Sequence, residues 1–362
     1  MDDKWLVCIP QCGLGNRLRF MSSCIFLAKK INRKIAILWS DTIKSNEEDE
    51  LITRSQGVGI SFDSLFENDI PVFNCNNIII NKRKEFSNGI SYLLYGTIGD
   101  ATFRYKNGEL INYNNCSFLN IFKPCNETIR ENLNFNDIKV IMCEGQSTFV
   151  LGNLLLVERE LSNSKTQFYK SLVPVKEIHD IIDFHIPNLK EHICIHVRSY
   201  DKRYDPLENV HDSWLDENSY GMIDNVINYY IKLNELFNYE QPRFLLLSNS
   251  SKIKEHFSEK YPSIITTYNN NNLSRNEEGI KCALIEWYLM ANCKLIWGSH
   301  SSSFSTEACF LNKIQKRILR DISNYSKHEL KENSICAHVA IDNLFDKIKN
   351  PENSREIIVI NP

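Results

Sequence analysis

The sequence predicts an α/β fold of two domains with a cleft between them. Three observations carry that expectation. Short apolar runs alternate with amphipathic stretches of helical period, the pattern of strands joined by crossover helices. At 362 residues the chain is long for a single hydrophobic core. Glycine- or serine-rich clusters also fall where predicted strands pass into helices, the place where such sheets take ligands.

Residues 4–12 (KWLVCIPQC) read as a strand, 16–31 as an amphipathic helix and 34–40 (KIAILWS) as a second strand, a β-α-β opening. Residues 41–137 are Asn-rich with few long periodic runs and read as irregular. Residues 138–144 (IKVIMCE) form a further predicted strand, and 174–184 open a helix. From about residue 190 the alternation becomes regular. Strands are expected at 192–197, 243–248, 263–268 and 294–299, with helices at 219–237, 252–260, 278–291 and from about 303. Beyond 313 come a polar stretch, a short helix around 337–348 and a last strand, EIIVI. The expected division is 1–170, 171–330 and a tail, 331–362, packing back on the body.

Composition narrows the class. The chain is 43% hydrophobic and 24% charged with a net charge of −3, so no nucleic-acid surface and no anionic-membrane surface is expected. Any anion site must therefore be local. The start, MDDKWLVCIPQCGLGN, has neither the basic opening nor the apolar core of a signal peptide, and no run of about 18 apolar residues encodes a membrane span. The twelve cysteines are scattered, with no C-x-x-C pair and no zinc-type spacing, which suits reduced, buried thiols in a cytoplasmic protein.

Four stretches carry chemistry. QCGLGNRLRF (11–20) places Gly13 and Gly15 between strand and helix. A dinucleotide fingerprint would need a third glycine at Leu18, and the Lys-Ser/Thr of a P-loop is missing. What remains is a turn opening a helix whose N–H groups can face an anion or sugar hydroxyls, with Asn16 and Arg17 reaching outward. The bland alternative is a βα turn with an Asn cap. In CIHVRSYDKRYD (194–205), His196 and Arg198 share one parity at a strand exit, and an Arg fork suits a diphosphate. A solvated charged loop explains Arg203 but not these two. SNSSKIKEHF (248–257) offers small polar residues, including Asn249, or an ordinary helix cap. In LIEWYLMANCKLIWGSHSSSFSTEA (284–308), serines crowd a strand-to-helix junction, fit for phosphate oxygens. Glu286 stands alone in an apolar helix there, either reading the paired N–H groups of a guanine edge or lying on the helix's outer face. No D-x-D motif, G-x-S-x-G elbow or H-E-x-x-H helix occurs.

Together these stretches resemble the GDP-fucose-dependent fucosyltransferases of the α1,2/α1,6/protein-O superfamily. HVRSYDK (196–202) is similar to the H-V-R-R-x-D-K motif of the core α1,6 enzymes; it keeps His196, Arg198, Asp201 and Lys202, with Ser199 where a second Arg usually stands. The resemblance implies that Arg198 holds the β-phosphate of GDP and that Ser302 and Ser303, followed by Phe304 and Ser305, lie beside the diphosphate. It sets Glu286 where the family has an Asp that reads guanine, and Asn249 where the second motif often has an Asp. GLGNRL (13–18) resembles the glycine-rich N-terminal loop of the α1,2 and plant members. The implied fold is GT-B, two Rossmann-like domains facing across a cleft, the N-terminal one taking the acceptor and the C-terminal one GDP-fucose.

The implied reaction inverts the anomeric carbon and uses no metal or other cofactor. Its partners are the GDP-sugar donor and a glycan or glycoprotein acceptor. The expected catalytic set is Arg198, Lys202, Asp205 and Glu208. The family's base, a Glu shortly after the Lys matched by Lys202, falls here on Pro206, so Asp205 is chosen over Glu208. Two other readings fit the same residues: a related transferase with another nucleotide sugar, such as a rhamnosyl donor, and a sugar-binding homologue without catalysis. Guanine recognition discriminates against the first, because a uracil or thymine edge offers one N–H donor. Turnover of GDP-fucose discards the second.

Overall fold

The computed structural model describes residues 4–39, 59–70, 72–73, 78–80, 87–89, 93–98, 101–104, 110–113, 116–121, 139–146, 154–200, 214–268, 276–300 and 302–319. Internal packing divides the chain into two compact units. The first takes the chain up to Phe184 and adds Ser274–Trp287 and Phe310–Lys313; the second takes the remainder. The contiguous division expected at 170/171 differs from this grouping, which is discontinuous in sequence.

The first unit opens with β1 (Trp5–Pro10), α1 (Leu14–Lys30) and β2 (Lys34–Leu38), as the β-α-β pattern requires. Seven short strands follow: β3 (Val72–Phe73), β4 (Ile78–Ile80), β5 (Ser87–Gly89), β6 (Leu93–Ile98), β7 (Ala101–Arg104), β8 (Leu110–Tyr113) and β9 (Cys116–Ile121). Then come β10 (Val140–Gly145), α2 (Leu154–Ser171) and α3 (Lys176–His185). The main sheet runs β3-β2-β1-β10-β9-β6-β5. Its first five strands are parallel, but β6 and β5 are added antiparallel, so the sheet is mixed rather than purely parallel. Strands β4, β7 and β8 form a separate antiparallel sheet. The irregular reading of 41–137 is thereby corrected: strands of two to six residues are too short to show a period. Helix α2 was not anticipated either, because SNSKT interrupts its apolar pattern.

Helix α1 is buried on nearly every side, from Leu14 and Leu18 through Phe20, Met21 and Cys24 to Phe26 and Leu27. The helix is buried beyond what its amphipathic pattern requires, because Arg17, Ser22 and Ser23 are covered along with the apolar residues. It touches β1 on one side and α2 on another, where the Tyr169 hydroxyl donates to Ser22 Oγ at 3.4 Å. Cys8 of β1, Cys143 of β10 and Cys24 of α1 meet beneath it, Cys8 and Cys143 side by side in register. Burial pushes the Cys8 and Cys24 thiols up, so they stay protonated and pack as small apolar groups. Arg33 Nη1 donates to the carbonyls of Trp5 and Lys139, closing the lower ends of β1 and β10.

The second unit holds β11 (Ile193–Val197), α4 (Asp216–Phe237), β12 (Phe244–Ser248), α5 (Ser251–Lys260) and β13 (Ile265–Thr267). After α6 (Glu277–Ala291), which belongs to the first unit as far as Trp287, come β14 (Leu295–Ser299), α7 (Ser303–Asn312, its last residues grouped with the first unit) and β15 (Gln315–Leu319). All five strands are parallel in the order β13-β12-β11-β14-β15. Ile193, Ile195, Val197, Phe244 and Leu246 of the sheet pack with Met222, Ile223, Val226, Ile227 and Phe257 of α4 and α5. Strand β15 escaped the sequence reading because QKRIL carries two cations, which an edge strand tolerates. The helix expected at 337–348 and the EIIVI strand lie outside the described residues. None of the described helices is long and apolar enough to cross a membrane.

Numbered from its own first strand, the second sheet runs 3-2-1-4-5, the doubly wound order in which the direction of winding reverses between β11 and β14. In sheets of this order ligands are taken up outside the carboxyl ends of the strands at that point. Gly298 of β14 keeps α7 against it. A Cβ at Gly298 would lie 2.4 Å from Ser305 Oγ, 2.8 Å from Ser305 Cβ and 2.9 Å from Lys316 Cε. The first turn of α7 therefore rests on bare backbone. Gly298→Ala should lower stability by about 1–3 kcal/mol, the usual range for overpacking, read as a lower midpoint in urea with an unchanged slope.

Candidate functional site

The two ladders of β11 end at different places. On the β12 side the last rung is Val197 with Ser248; on the β14 side it is His196 with Gly298. Side chains take over from there. The Arg198 N–H donates to Ser299 Oγ at 2.9 Å, and Ser299 Oγ donates to the His196 carbonyl at 3.4 Å. The Ser199 N–H donates to Asn249 Oδ1 at 2.7 Å, and Asn249 Nδ2 donates to the Ser199 carbonyl at 2.7 Å.

The Arg198 side chain is held by aromatics. Its Nε and Nη2 both donate to the Tyr200 hydroxyl. The guanidinium lies 4.7 Å from the Trp214 ring centroid and 5.1 Å from that of Tyr200. Tyr200 and Trp214 stack on each other at 5.6 Å, and Trp214 Nε1 donates to the His300 carbonyl at 3.0 Å. Trp214 thus ties the segment after β11 to the turn after β14. Cation–π contact fixes the plane of the guanidinium without neutralising it.

The serine turn opens α7. Ser302 N–H donates to the Ser299 carbonyl, and the Ser302 carbonyl accepts from Thr306 N–H, Thr306 Oγ1 and Lys316 Nζ. Lys316 Nζ also donates to Thr306 Oγ1 at 2.7 Å. A lysine therefore sits under a helix start whose first-turn N–H groups have no intrahelical acceptor, and both push the local potential positive. The His196 ring packs against Phe304 at 5.4 Å. Burial, and then Lys316 and Arg198, hold its pKa down to about 3, so it is neutral at physiological pH. His196 Nδ1, Ser199 Oγ and Ser302 Oγ are buried with no hydrogen-bond partner among the described residues. This corner can hold an anion with several oxygens: fixed positive charge, converging donors and buried polar atoms still to be satisfied.

The remaining candidates fall in both units. Asn249, exposed, has both ends of its amide turned to Ser199 backbone. Ser302, Ser303 and Ser305 are buried in the turn. Glu286 is 9% exposed within α6, which removes the outer-face reading. In the first unit, Gly13 stands at the N-terminus of α1 in a conformation any residue adopts, with no atom within 4 Å of where a Cβ would be. The left-handed residue of that turn is Cys12, at φ 65°. Gly15 is buried in the helix and Asn16 Nδ2 donates to Gln146 Oε1 at 3.3 Å. Arg17 does not reach outward: it is fully buried, its Nε donating to the Cys12 carbonyl at 2.8 Å and its guanidinium stacked on Trp39 at 4.8 Å. Asp201, Lys202, Asp205 and Glu208 lie outside the described residues. The sequence reading missed Tyr200, Trp214 and Lys316. Tyr200 shares the parity of Arg198 and was legible on that ground; Trp214 and Lys316 reach the corner only through tertiary packing.

Fold and corner define a class: a doubly wound α/β protein with an electropositive strand exit at its switch point. No protein-family model and no curated protein matches the sequence. Solved structures do share its fold. NodZ α-1,6-fucosyltransferase soaked with GDP-fucose aligns at a TM-score of 0.51 and 16% identity, over 89% of this chain and 96% of that one. A variant of Arabidopsis thaliana FUT1 in complex with GDP aligns at a TM-score of 0.51 and 13% identity, over 89% of this chain and 71% of that one. At such identities the likeness establishes the fold, and both of these structures are of fucosyltransferases from the group whose motifs the sequence resembles.

The His196 environment has a measurable consequence. An unfolded chain takes up the His196 proton as pH falls below 6.5, whereas the folded protein refuses it until about 3. Stability is therefore lost progressively through that window on acidification. His196→Asn should flatten the slope of unfolding free energy between pH 6 and pH 4 by up to about 1.4 kcal/mol per pH unit, measured by denaturant titration at each pH.

Proposed function

We propose that this chain is a glycosyltransferase that moves L-fucose from GDP-fucose to a glycan or glycoprotein acceptor, with inversion and without a metal. The observation that carries the reading is the corner formed by Arg198, the start of α7 and Lys316 at the switch point of the second sheet. Departure of GDP builds negative charge on its β-phosphate. A guanidinium held flat by Trp214, first-turn N–H groups and a lysine beneath them meet that charge without reorganising, which is the condition for electrostatic catalysis. Tyr200 occupies Nε and one Nη2 proton, leaving Nη1 and the second Nη2 proton to donate to phosphate oxygens. The missing D-x-D motif is the ground for reading the reaction as metal-free. Likeness in fold to enzymes solved with GDP-fucose and GDP supports the same nucleotide.

In this reading two Rossmann-like domains form a GT-B arrangement, and the first takes the acceptor. Glu286 recognises guanine through N1–H and the exocyclic amine. Asp205, ahead of Glu208, accepts the proton of the acceptor hydroxyl on the face of the sugar opposite GDP. Asp201 and Lys202 complete the charged loop between them and Arg198.

Nucleotide choice tests the donor. GDP and GDP-fucose at a hundredfold excess over Kd should stabilise the protein by about 2.7 kcal/mol without magnesium, while UDP and ADP leave its melting unchanged. Glu286→Gln should then weaken GDP binding by about 1.5–3 kcal/mol in calorimetry, as an amide replaces one of two charged acceptors by a donor. An equal response to UDP would favour another nucleotide sugar.

The base is tested separately. Asp205→Asn should leave GDP affinity intact and cut transfer at least about a hundredfold, in line with general-base contributions. Normal transfer by Asp205→Asn beside a dead Glu208→Gln would move the role three residues on.

A further inference from the structure

The geometry points to Asn249 as a positioning residue for Arg198, acting through the Ser199 peptide rather than on the ligand. The identity of the ligand rests on the donor reading above; the clamp itself does not. Arg198 stands one residue beyond the last β12 rung and two beyond the last β14 rung, where a strand end is ordinarily free to drift. Here its neighbours are tied on both sides. From β14, Ser299 Oγ accepts the Arg198 N–H. From β12, the Asn249 carboxamide pairs with both the N–H and the carbonyl of Ser199, each at 2.7 Å, and so supplies one extra rung that the ladder lacks.

The pairing is specific to an amide. A donor and an acceptor must lie side by side on one rigid plane, which Asn offers and Asp does not. A carboxylate at 249 would still accept the Ser199 N–H, but its second oxygen would face the Ser199 carbonyl. Asn249 is exposed, so packing does not hold it in place; its support is the helix start that follows. Ser250 N–H donates to Ser248 Oγ, and Ser250 Oγ caps α5 by accepting from Ile253 N–H. The clamp is thus mounted on the junction of β12 and α5.

Rotation of the Ser199 peptide would move Arg198 and Tyr200 relative to each other, since they flank it. Tyr200 is the residue that holds Nε and Nη2 of Arg198 and stacks on Trp214. Asn249 therefore sets the guanidinium plane at a distance of two peptide units, with no contact of its own to the cation.

A double-mutant cycle read by calorimetric titration of the full chain with GDP tests this. Asn249→Asp should weaken GDP binding about tenfold in the wild-type background. In an Arg198→Ala background the same change should cost less than about twofold, because a residue that acts only through Arg198 has nothing left to act on. If Arg198→Ala binds too weakly to titrate, Arg198→Lys takes its place with the same expectation. An equal loss in both backgrounds would make Asn249 a direct ligand contact and overturn the proposal. So would unchanged affinity in the wild-type background, including the case where Asn249→Asp lowers only the melting temperature. If the unmodified protein binds no GDP, the donor reading falls and the cycle is run with inorganic pyrophosphate; a chain that binds neither overturns both.

Discussion

The first turn of α7 lies on the bare backbone of Gly298, and the rest of the corner depends on that contact. With a side chain at this position the helix would stand off the sheet, and its N-terminus would leave the exit of β11. With glycine there, Ser302 comes down to Ser299, Lys316 slides beneath the turn, and Phe304 closes over His196. Like charges crowded into one place must be reconciled, and each here finds a different settlement. Lys316 donates to a helix carbonyl and a hydroxyl, Arg198 lies on two rings, and His196 gives up its proton. What is left is the Arg198 guanidinium, held by Tyr200 and Trp214 and still able to donate, an arrangement that makes sense once an anion joins it.

The two sheets place a polar turn at equivalent points and use it differently. In the first unit the winding also reverses beside β1, where Gln11 N–H donates to the Gly145 carbonyl and Cys12 takes the left-handed conformation. The arginine nearest that turn, Arg17, is folded inward to brace the Cys12 carbonyl and stack on Trp39. In the second unit the corresponding arginine lies just past the strand and stacks on its own neighbours. Topology supplies two candidate exits; among the described residues, Arg17 is folded inward at the first and Arg198 stands past the strand at the second.

Much of the second unit was legible because its three central strands are buried almost end to end. Apart from His196, Gly298 and their closing serines, ICIHV, FLLLS and LIWGS are apolar and bounded by polar turns, so their limits can be read to within a residue or two. The first unit was legible where it repeats that design, at β1, α1, β2 and β10, and at the start of α3. Strands β3 to β9 are short, and the pairing of β9 and β10 in particular is decided across the chain, which no local period records. The same distinction runs through the site. Arg198, His196 and the serine turn announce themselves by charge or hydroxyls at a strand end. Lys316 does not, since its place beneath α7 follows from a neighbouring strand, and Arg17 misled because a buried guanidinium and an exposed one look alike in sequence.

The discontinuous make-up of the first unit has a consequence for how the protein is made. Trp287 is wholly buried and meets Tyr169 of α2 edge to face at 5.4 Å, while Thr166 Oγ1 donates to the Phe310 carbonyl and Lys313 Nζ to Asn163 Oδ1. These partners emerge from the ribosome more than a hundred residues after α2. At synthesis rates of about 5–20 residues per second, α2 waits roughly 6–30 seconds with an aromatic face uncovered. The chain cannot mature strictly from its N-terminus, one unit after the other. A nascent chain halted before α6 holds a helix with no lid, the kind of surface that chaperones retain and that aggregation exploits.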